Sequence, residues 1–240
     1  MQSRTTLIFF VALLLGFTSC NKIIMPSGNI TQENYSFTDY QAIDVSDAFD
    51  VSLTFSPTVD GVIIEADDNV HQYIDIKKIG NRLYLGVERN FNLQGPATLK
   101  AYISTNESIN GLYASGASTL RIVDTLARTN VTMEASGASR IFGSVNIDDL
   151  SIKASGASNV NLDGTTKELS VTASGASQIG GFDLLNEDIN IVLSGASTGS
   201  LSFEGNMDVE ASGASTIYYK GNGTIQSQAL SGASEIIPVD

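Results

Sequence analysis

The sequence has few of the residues that covalent cross-linking, nucleophilic catalysis or nucleic-acid binding would need. Its 240 residues include one cysteine, one histidine and no tryptophan, and 13 lysines and arginines stand against 26 aspartates and glutamates. A single cysteine excludes an internal disulfide. The formal net charge of −13 leaves no basic surface for nucleic acid. Four prolines and 22 glycines suit a β protein with many turns.

The apolar run LIFFVALLLGF, residues 7–17, follows a positively charged start. It is too short to span a bilayer as a helix and predicts a signal peptide over residues 1–19. Small residues at positions 18–19 lead into Cys20, as in a bacterial lipobox, which predicts that Cys20 is lipidated and becomes the N-terminus. Phe17 stands where that motif usually has leucine. An ordinary secreted protein with a chance cysteine is therefore the alternative.

The tetrapeptide Ser-Gly-Ala-Ser occurs seven times after residue 114, at intervals of 21, 19, 19, 20, 18 and 19 residues. Such a period predicts a solenoid in which one unit stacks on copies of itself. Apolar residues before each copy alternate with a period of two, as in strands. The glycine of each copy is expected to make a structural turn with positive φ. These glycines are Gly116, Gly137, Gly156, Gly175, Gly195, Gly213 and Gly232.

Each coil is therefore predicted to contain a strand, the Ser-Gly-Ala-Ser corner, a second strand and a less regular second corner of turn residues. Equivalent strands of successive coils should pair in parallel about 4.8 Å apart. We expect the alanine to face the crowded interior of the corner and the serines to bond backbone groups or serines one coil away. The fold class is thus all-β: a single-stranded parallel β-helix, or β-solenoid, with about 19 residues per coil.

The same patterns predict the domain organisation. Residues 20–32 show no clear period and are expected to be a tether. Residues 33–240 are expected to form one β-solenoid domain. Within it, residues 33–112 alternate as strands do but lack the tetrapeptide, which predicts irregular N-terminal coils that cap the stack. Residues 113–240 carry the repeat.

The repeated serines are interpreted as architecture, because a catalytic nucleophile is needed only once. A serine nucleophile requires a histidine base that a third group orients. The one histidine, His71, lies outside the repeat. We therefore expect no catalytic residue and no cofactor.

Acidic residues recur loosely at the second corner, and two interpretations stay open. Stacked carboxylates about 5 Å apart would repel each other by about 1 kcal/mol per pair, and Ca²⁺ between coils would relieve that repulsion. Alternatively, the loops fan out into solvent and no metal binds. The variable offsets and the lack of a Ca²⁺-loop signature favour the second interpretation. The residues are Asp124, Asp148, Asp163, Asp183 and Glu204.

Four aromatic residues could form a platform for a glycan or could simply pack within the fold. Ordinary core or edge packing is favoured. The four residues are Tyr113, Phe203, Tyr218 and Tyr219.

Residues 40–45 (YQAIDV) and 64–69 (IEADDN), followed by serial Ser-Gly-Ala-Ser corners, resemble the putative auto-transporter adhesin head GIN domain family. The resemblance covers roughly residues 36–237. It implies a right-handed, pectin-lyase-like β-helix in a cell-envelope protein of Bacteroidetes-like bacteria. It brings no catalytic residues with it.

We therefore expect a non-enzymatic outer-membrane lipoprotein, adhesin-like, that binds a glycan or a protein surface through the sides of the solenoid. It would touch the membrane only through its lipid anchor and would face either the periplasm or the cell surface. Two alternatives stay open. One is a polysaccharide-active enzyme, which would show a cleft lined by aspartate with arginine or lysine. The other is a structural or signalling component without an external ligand.

Overall fold

The computed structural model describes residues 22–56, 61–89, 91–106 and 108–240. Within these ranges the chain forms nineteen β-strands and one three-residue 3₁₀ helix, His71–Tyr73. In the described part of the chain, no helix has the length and hydropathy that crossing a bilayer requires. The strands are β1 (Lys22–Ile24), β2 (Ile30–Tyr35), β3 (Ala42–Val45), β4 (Asp50–Phe55), β5 (Gly61–Asp67), β6 (Ile74–Ile79), β7 (Arg82–Val87), β8 (Phe91–Leu93), β9 (Leu99–Thr105), β10 (Gly111–Ala114), β11 (Thr119–Ala135), β12 (Arg140–Ala154), β13 (Asn159–Ala173), β14 (Gln178–Leu193), β15 (Thr198–Phe203), β16 (Asn206–Ala211), β17 (Thr216–Lys220), β18 (Thr224–Leu230) and β19 (Glu235–Pro238).

Strands β10 to β19 form a stack of parallel coils. β12 pairs in parallel with β13 at a constant offset of 19 residues, and the neighbouring pairs follow the same direction. Equivalent apolar side chains lie above one another: Leu150 pairs with Leu169, which pairs with Ile189, and all three are buried in one continuous core. The predicted parallel β-solenoid with about 19 residues per coil is confirmed.

The Ser-Gly-Ala-Ser corners stack along one edge. The φ angles of their seven glycines lie between 69° and 78°. From the second corner onward, the alanine N–H donates to the glycine carbonyl of the preceding corner, each time at 2.7 Å. This bond continues the ladder through the turn and brings the backbones of successive corners close together. A side chain on the glycine would occupy that space.

The interior of each corner holds the last serine of the tetrapeptide, and the alanine faces solvent. Ser158 and Ser177 are buried, whereas Ala157 and Ala176 are exposed. The prediction that the alanine faces inward is wrong, because the last serine of the tetrapeptide takes the interior position and the alanine lies on the outer side of the turn. The serine hydroxyl is a small group that finds a backbone acceptor: Ser158 Oγ donates to the carbonyl of Ala135 at 3.1 Å.

An eighth corner without glycine precedes the seven. Because β3 pairs with β10 and β4 with β11, residues 46–49 lie directly beside residues 115–118. Asp47 and Ala48 adopt φ values of 62° and 67°, a conformation unfavourable for alanine. Phe49 is fully buried where later corners have serine. The stack therefore begins one coil before the repeat is visible in the sequence.

The second corner is mostly a bend within long strands, which corrects the prediction of turns there. β11, β12, β13 and β14 each run through it for 15 to 17 residues. At the bend the pairing between adjacent strands shifts in register, for instance between Ile122 and Leu126. Breaks between strands occur only in the last two coils, at residues 204–205 and 221–223.

The N-terminal part closes the first end of the stack. β3 lies between β7 and β10, and β4 lies between β9 and β11, all in parallel. β5 then pairs antiparallel with β9 and β2, and β6 pairs antiparallel with β7. The prediction of irregular coils fits the parallel strands and is wrong for β2, β5 and β6. These antiparallel strands cover edges that a coil would have left open.

The segment expected to be a tether is part of the folded body from Lys22 onward. β1 pairs with β8, and residues 25–29 are bound by three consecutive side chains, Asp67, Asp68 and Asn69, which we call the clamp. Asp67 is 2% exposed and accepts hydrogen bonds from the backbone N–H groups of Gly28 (2.7 Å) and Thr98 (2.9 Å).

The other two clamp residues bind the same segment from its exposed side. Asp68 accepts hydrogen bonds from the side chains of Ser27 (2.6 Å) and Asn29 (2.8 Å), which lower the pKa of Asp68 below its ordinary value. Asn69 Nδ2 donates to the carbonyl of Met25 at 2.8 Å. Cys20, the predicted lipidation site, lies outside the described residues.

Candidate functional site

A groove of about 790 Å³ runs along the solenoid beside the strands that precede the Ser-Gly-Ala-Ser corners. Two columns of polar side chains line it, one rung per coil. Six residues before the tetrapeptide the column is Asn130, Asp149, Glu168, Asp188 and Asn206. Four residues before it the column is Thr132, Ser151, Ser170, Asn190 and Asp208.

The strand register builds these columns. Asp149 pairs with Glu168, and Glu168 pairs with Asp188, so three carboxylates follow one another at the spacing of adjacent strands, about 4.8 Å. Asp188 Oδ1 also accepts the backbone N–H of Asn206 at 2.7 Å. The solenoid therefore presents one set of hydrogen-bonding groups repeatedly along a straight line.

The residues that line the groove give it a negative charge. Among the described residues that line it, none is lysine or arginine. Its carboxylates at 149 and 168 are exposed. By contrast, neighbouring Asp148, outside the groove, pairs with Lys167 at 2.6 Å, and this carboxylate raises the pKa of Lys167. An anionic ligand would thus meet like charge at the rungs that carry Asp149, Glu168, Asp188 and Asp208.

The acidic residues of the second corner do not stack on one another. Asp148 pairs with Lys167, Asp163 accepts a hydrogen bond from Ser144, and Asp124 accepts the backbone N–H of Phe55 at 3.0 Å. Within the described ranges, no group of three or more His, Cys, Asp or Glu side chains is placed to share a metal ion.

The four aromatic residues do not form one platform. Phe203 is buried in the core and packs against Tyr219, with ring centroids 5.9 Å apart. Tyr113 lines the groove near its first coil, and the guanidinium of Arg82 lies 3.8 Å from its ring centroid. One face of Tyr113 is therefore already covered.

Sequence reasoning placed the predicted structural glycines at the corner and missed the groove. The seven glycines do not line the groove. The signal for the groove was nevertheless present, because polar residues stand at constant offsets of six and four before the tetrapeptide. The acidic residues of the second corner lie at varying distances in sequence from the tetrapeptide, and residues at varying distances do not come to lie above one another.

Comparison with known proteins identifies the fold. A family model described as "Putative auto-transporter adhesin, head GIN domain" matches residues 39–223. A putative adhesin from Bacteroides fragilis NCTC 9343 superposes with a TM-score of 0.82 at 21% identity, covering 90% of this chain and 100% of its own. No curated protein matches this chain significantly.

Two further solved structures have the same fold. A putative adhesin from Parabacteroides merdae ATCC 43184 has a TM-score of 0.71 at 17% identity. A putative lipid binding protein from Parabacteroides distasonis ATCC 8503 has a TM-score of 0.74 at 18% identity. Each match covers 91% of this chain and 100% of the other. At these identities the likeness shows the fold alone.

Proposed function

This chain belongs to the putative auto-transporter adhesin, head GIN domain family, and on that premise we propose that it is a non-enzymatic, adhesin-like protein of the cell envelope. Its ligand is a neutral glycan chain bound along the axial groove. The observation that carries the ligand class is the pair of polar columns in strand register, with no basic side chain among the described groove residues.

A neutral glycan fits these columns for two physical reasons. Carboxylate, amide and hydroxyl side chains are the partners that sugar hydroxyls need, and here they repeat once per coil, about every 4.8 Å. An extended glycan of similar sugar units can therefore make the same contacts in successive coils, and its affinity is the sum of many weak hydrogen bonds. Like-charge repulsion would disfavour polysaccharides that carry carboxylates or sulfates.

Hydrolysis is the less suitable function for this groove. A glycoside hydrolase needs one carboxyl group kept protonated, usually by burial, beside a second ionised one. Asp149 and Glu168 are both exposed. A polysaccharide-active enzyme is expected to have a cleft lined by aspartate with arginine or lysine. The described residues that line this groove include aspartate but neither arginine nor lysine.

Blocking the groove should abolish recognition. We expect Ser170→Arg to weaken binding to any neutral glycan that the wild-type protein retains on a glycan array by about tenfold or more. Ser170 is exposed and lies in the middle of the column four residues before the tetrapeptide, and arginine there would fill the groove. Titration of the best array glycan against both proteins measures the loss.

The matched control is Leu185→Arg, which adds the same side chain at an exposed position outside the groove and should leave affinity unchanged. Preferential binding of anionic glycans would contradict the proposed ligand class. Measurable cleavage of any glycan on the panel would contradict the non-enzymatic role. Absence of glycan binding, together with recovery of envelope proteins alone in a pull-down, would favour the structural or signalling alternative.

We also propose that residues 1–19 are a signal peptide and that lipidated Cys20 anchors the domain in the outer membrane. The support is the lipobox-like sequence before Cys20. Cys20→Ala should move the protein from the membrane fraction to the soluble fraction, as measured by immunoblotting after cell lysis. Continued membrane association of this variant would argue against the anchor.

A further inference from the structure

The folded body begins almost at the proposed lipidation site. Only Asn21 separates Cys20 from Lys22, the first residue of β1. Because a residue spans at most about 3.6 Å, the Cα atoms of Cys20 and Ile23 are within about 11 Å of each other. A lipid on Cys20 therefore brings β1 to the membrane surface.

The first residues of the body are held firmly in place. Ile24 is 9% exposed and joins the hydrophobic core, and its carbonyl accepts the backbone N–H of Gln94 at 2.9 Å. Lys22 Nζ donates to the hydroxyl of Tyr73 at 2.7 Å. The clamp fixes residues 25–29 directly afterwards. This segment cannot act as a flexible spacer.

The same segment exposes apolar side chains. Ile23 is 60% exposed and Met25 is 68% exposed. They flank inward-pointing Ile24 and so point away from the body, as alternation along an extended chain requires. Of nine exposed large apolar side chains among the described residues, three lie at positions 23, 25 and 30. From residue 111 to residue 240 the exposed large apolar side chains are Val123, Leu185 and Leu230.

We propose that Ile23 and Met25 insert into the lipid surface beside the anchor, so that the capped end of the solenoid rests on the membrane and the stack of coils projects away from it. The inference depends on the lipidation of Cys20 proposed above. The surface that Ile23 and Met25 contact is the bilayer and not a second protein. The link from the lipidated cysteine to these side chains is too short to hold them away from the lipid. The chain's acidic charge makes uncharged headgroups the suitable surface.

The orientation has a consequence for the groove. The antiparallel strands β2, β5 and β6 form the capped end, followed by the layer of β7 and β9, then by β3 and β4, and then by β10 and β11. The groove begins beside β10 and continues to the coil of β18. An end-on solenoid therefore holds the groove perpendicular to the membrane, with its far end most accessible to a glycan that arrives from outside the bilayer.

The absence of tryptophan provides a clean reporter, because one substitution creates the only indole. The full chain is expressed in a bacterium that processes lipoproteins, purified in detergent and reconstituted into phosphatidylcholine vesicles with or without dibrominated phosphatidylcholine. The reporters are Met25→Trp, Leu185→Trp midway along the solenoid and Leu230→Trp near its far end; Leu185 and Leu230 are exposed positions. Mass spectrometry of the N-terminal peptide establishes lipidation separately.

We expect brominated lipid to reduce the emission of Met25→Trp about twofold or more, because indole settles at the membrane interface, and to leave Leu185→Trp and Leu230→Trp unchanged. A lipidated Met25→Trp protein without quenching would overturn the docking and leave the anchor standing. Equal quenching of all three reporters would mean that the solenoid lies flat, which also overturns the proposal. Blue-shifted emission without quenching would mean that these side chains contact a second copy of the chain, which overturns the proposal. An unlipidated N-terminus would remove both proposals.

Discussion

Replacing Gly175 by alanine is expected to lower the free energy of unfolding by about 2–4 kcal/mol, although the change adds one methyl group. Gly175 has φ 75°, and an added Cβ would lie 2.5 Å from the carbonyl oxygen of Gly156 in the preceding corner. That oxygen accepts the N–H of Ala176 at 2.7 Å. The backbone cannot move away without breaking the ladder at the corner.

Gly80→Ala is the control that separates conformational strain from the clash. Gly80 also has positive φ, 63°, but nothing lies within 4 Å of an added Cβ, so we expect a loss of about 1 kcal/mol. Urea denaturation followed by far-ultraviolet circular dichroism measures both losses. If the two variants lose the same stability, close stacking at the corner is not what requires glycine.

Replacing Asp67 by alanine is expected to cost about 2–4 kcal/mol and to release residues 25–29 from the body. The buried carboxylate accepts two backbone N–H groups, those of Gly28 and Thr98. A hydrogen bond to a charged group contributes about 1.5–3 kcal/mol, and both bonds are partly buried. Urea denaturation measures the stability, and hydrogen exchange at Gly28 and Thr98 measures the release.

Asp75→Ala provides the comparison, because Asp75 makes an exposed ion pair with Lys77, which is worth about 0–1 kcal/mol. If Asp67→Ala leaves hydrogen exchange at Gly28 unchanged, the clamp does not hold the segment. The proposed end-on orientation would then also lack the rigid connection between residues 25–29 and the folded body. The clamp would thus connect the stability of the cap to the membrane orientation proposed above.

The repeat predicted the stack well because, in a solenoid, the repeat length in sequence sets which residues lie above one another in adjacent coils. A residue and its equivalent one period later become neighbours, so the pairing of Leu150 with Leu169 can be read from the sequence. The groove follows the same rule at positions six and four before the tetrapeptide. The inward side of the corner does not follow from spacing, because the repeat length is the same whether Ala157 or Ser158 is buried, and only the backbone conformation of the turn decides between them.

The spacing of Ser-Gly-Ala-Ser by itself determined the parallel β-solenoid, its coil length and the stacked glycine corner, because each depends on one period and local backbone geometry. The tertiary structure decided the cap. Asp67 reaches Gly28 across 39 residues and Thr98 across 31, and β5 runs antiparallel to both β2 and β9. Alternation within a strand is identical for parallel and antiparallel partners, so no local pattern distinguishes a capping strand from another coil.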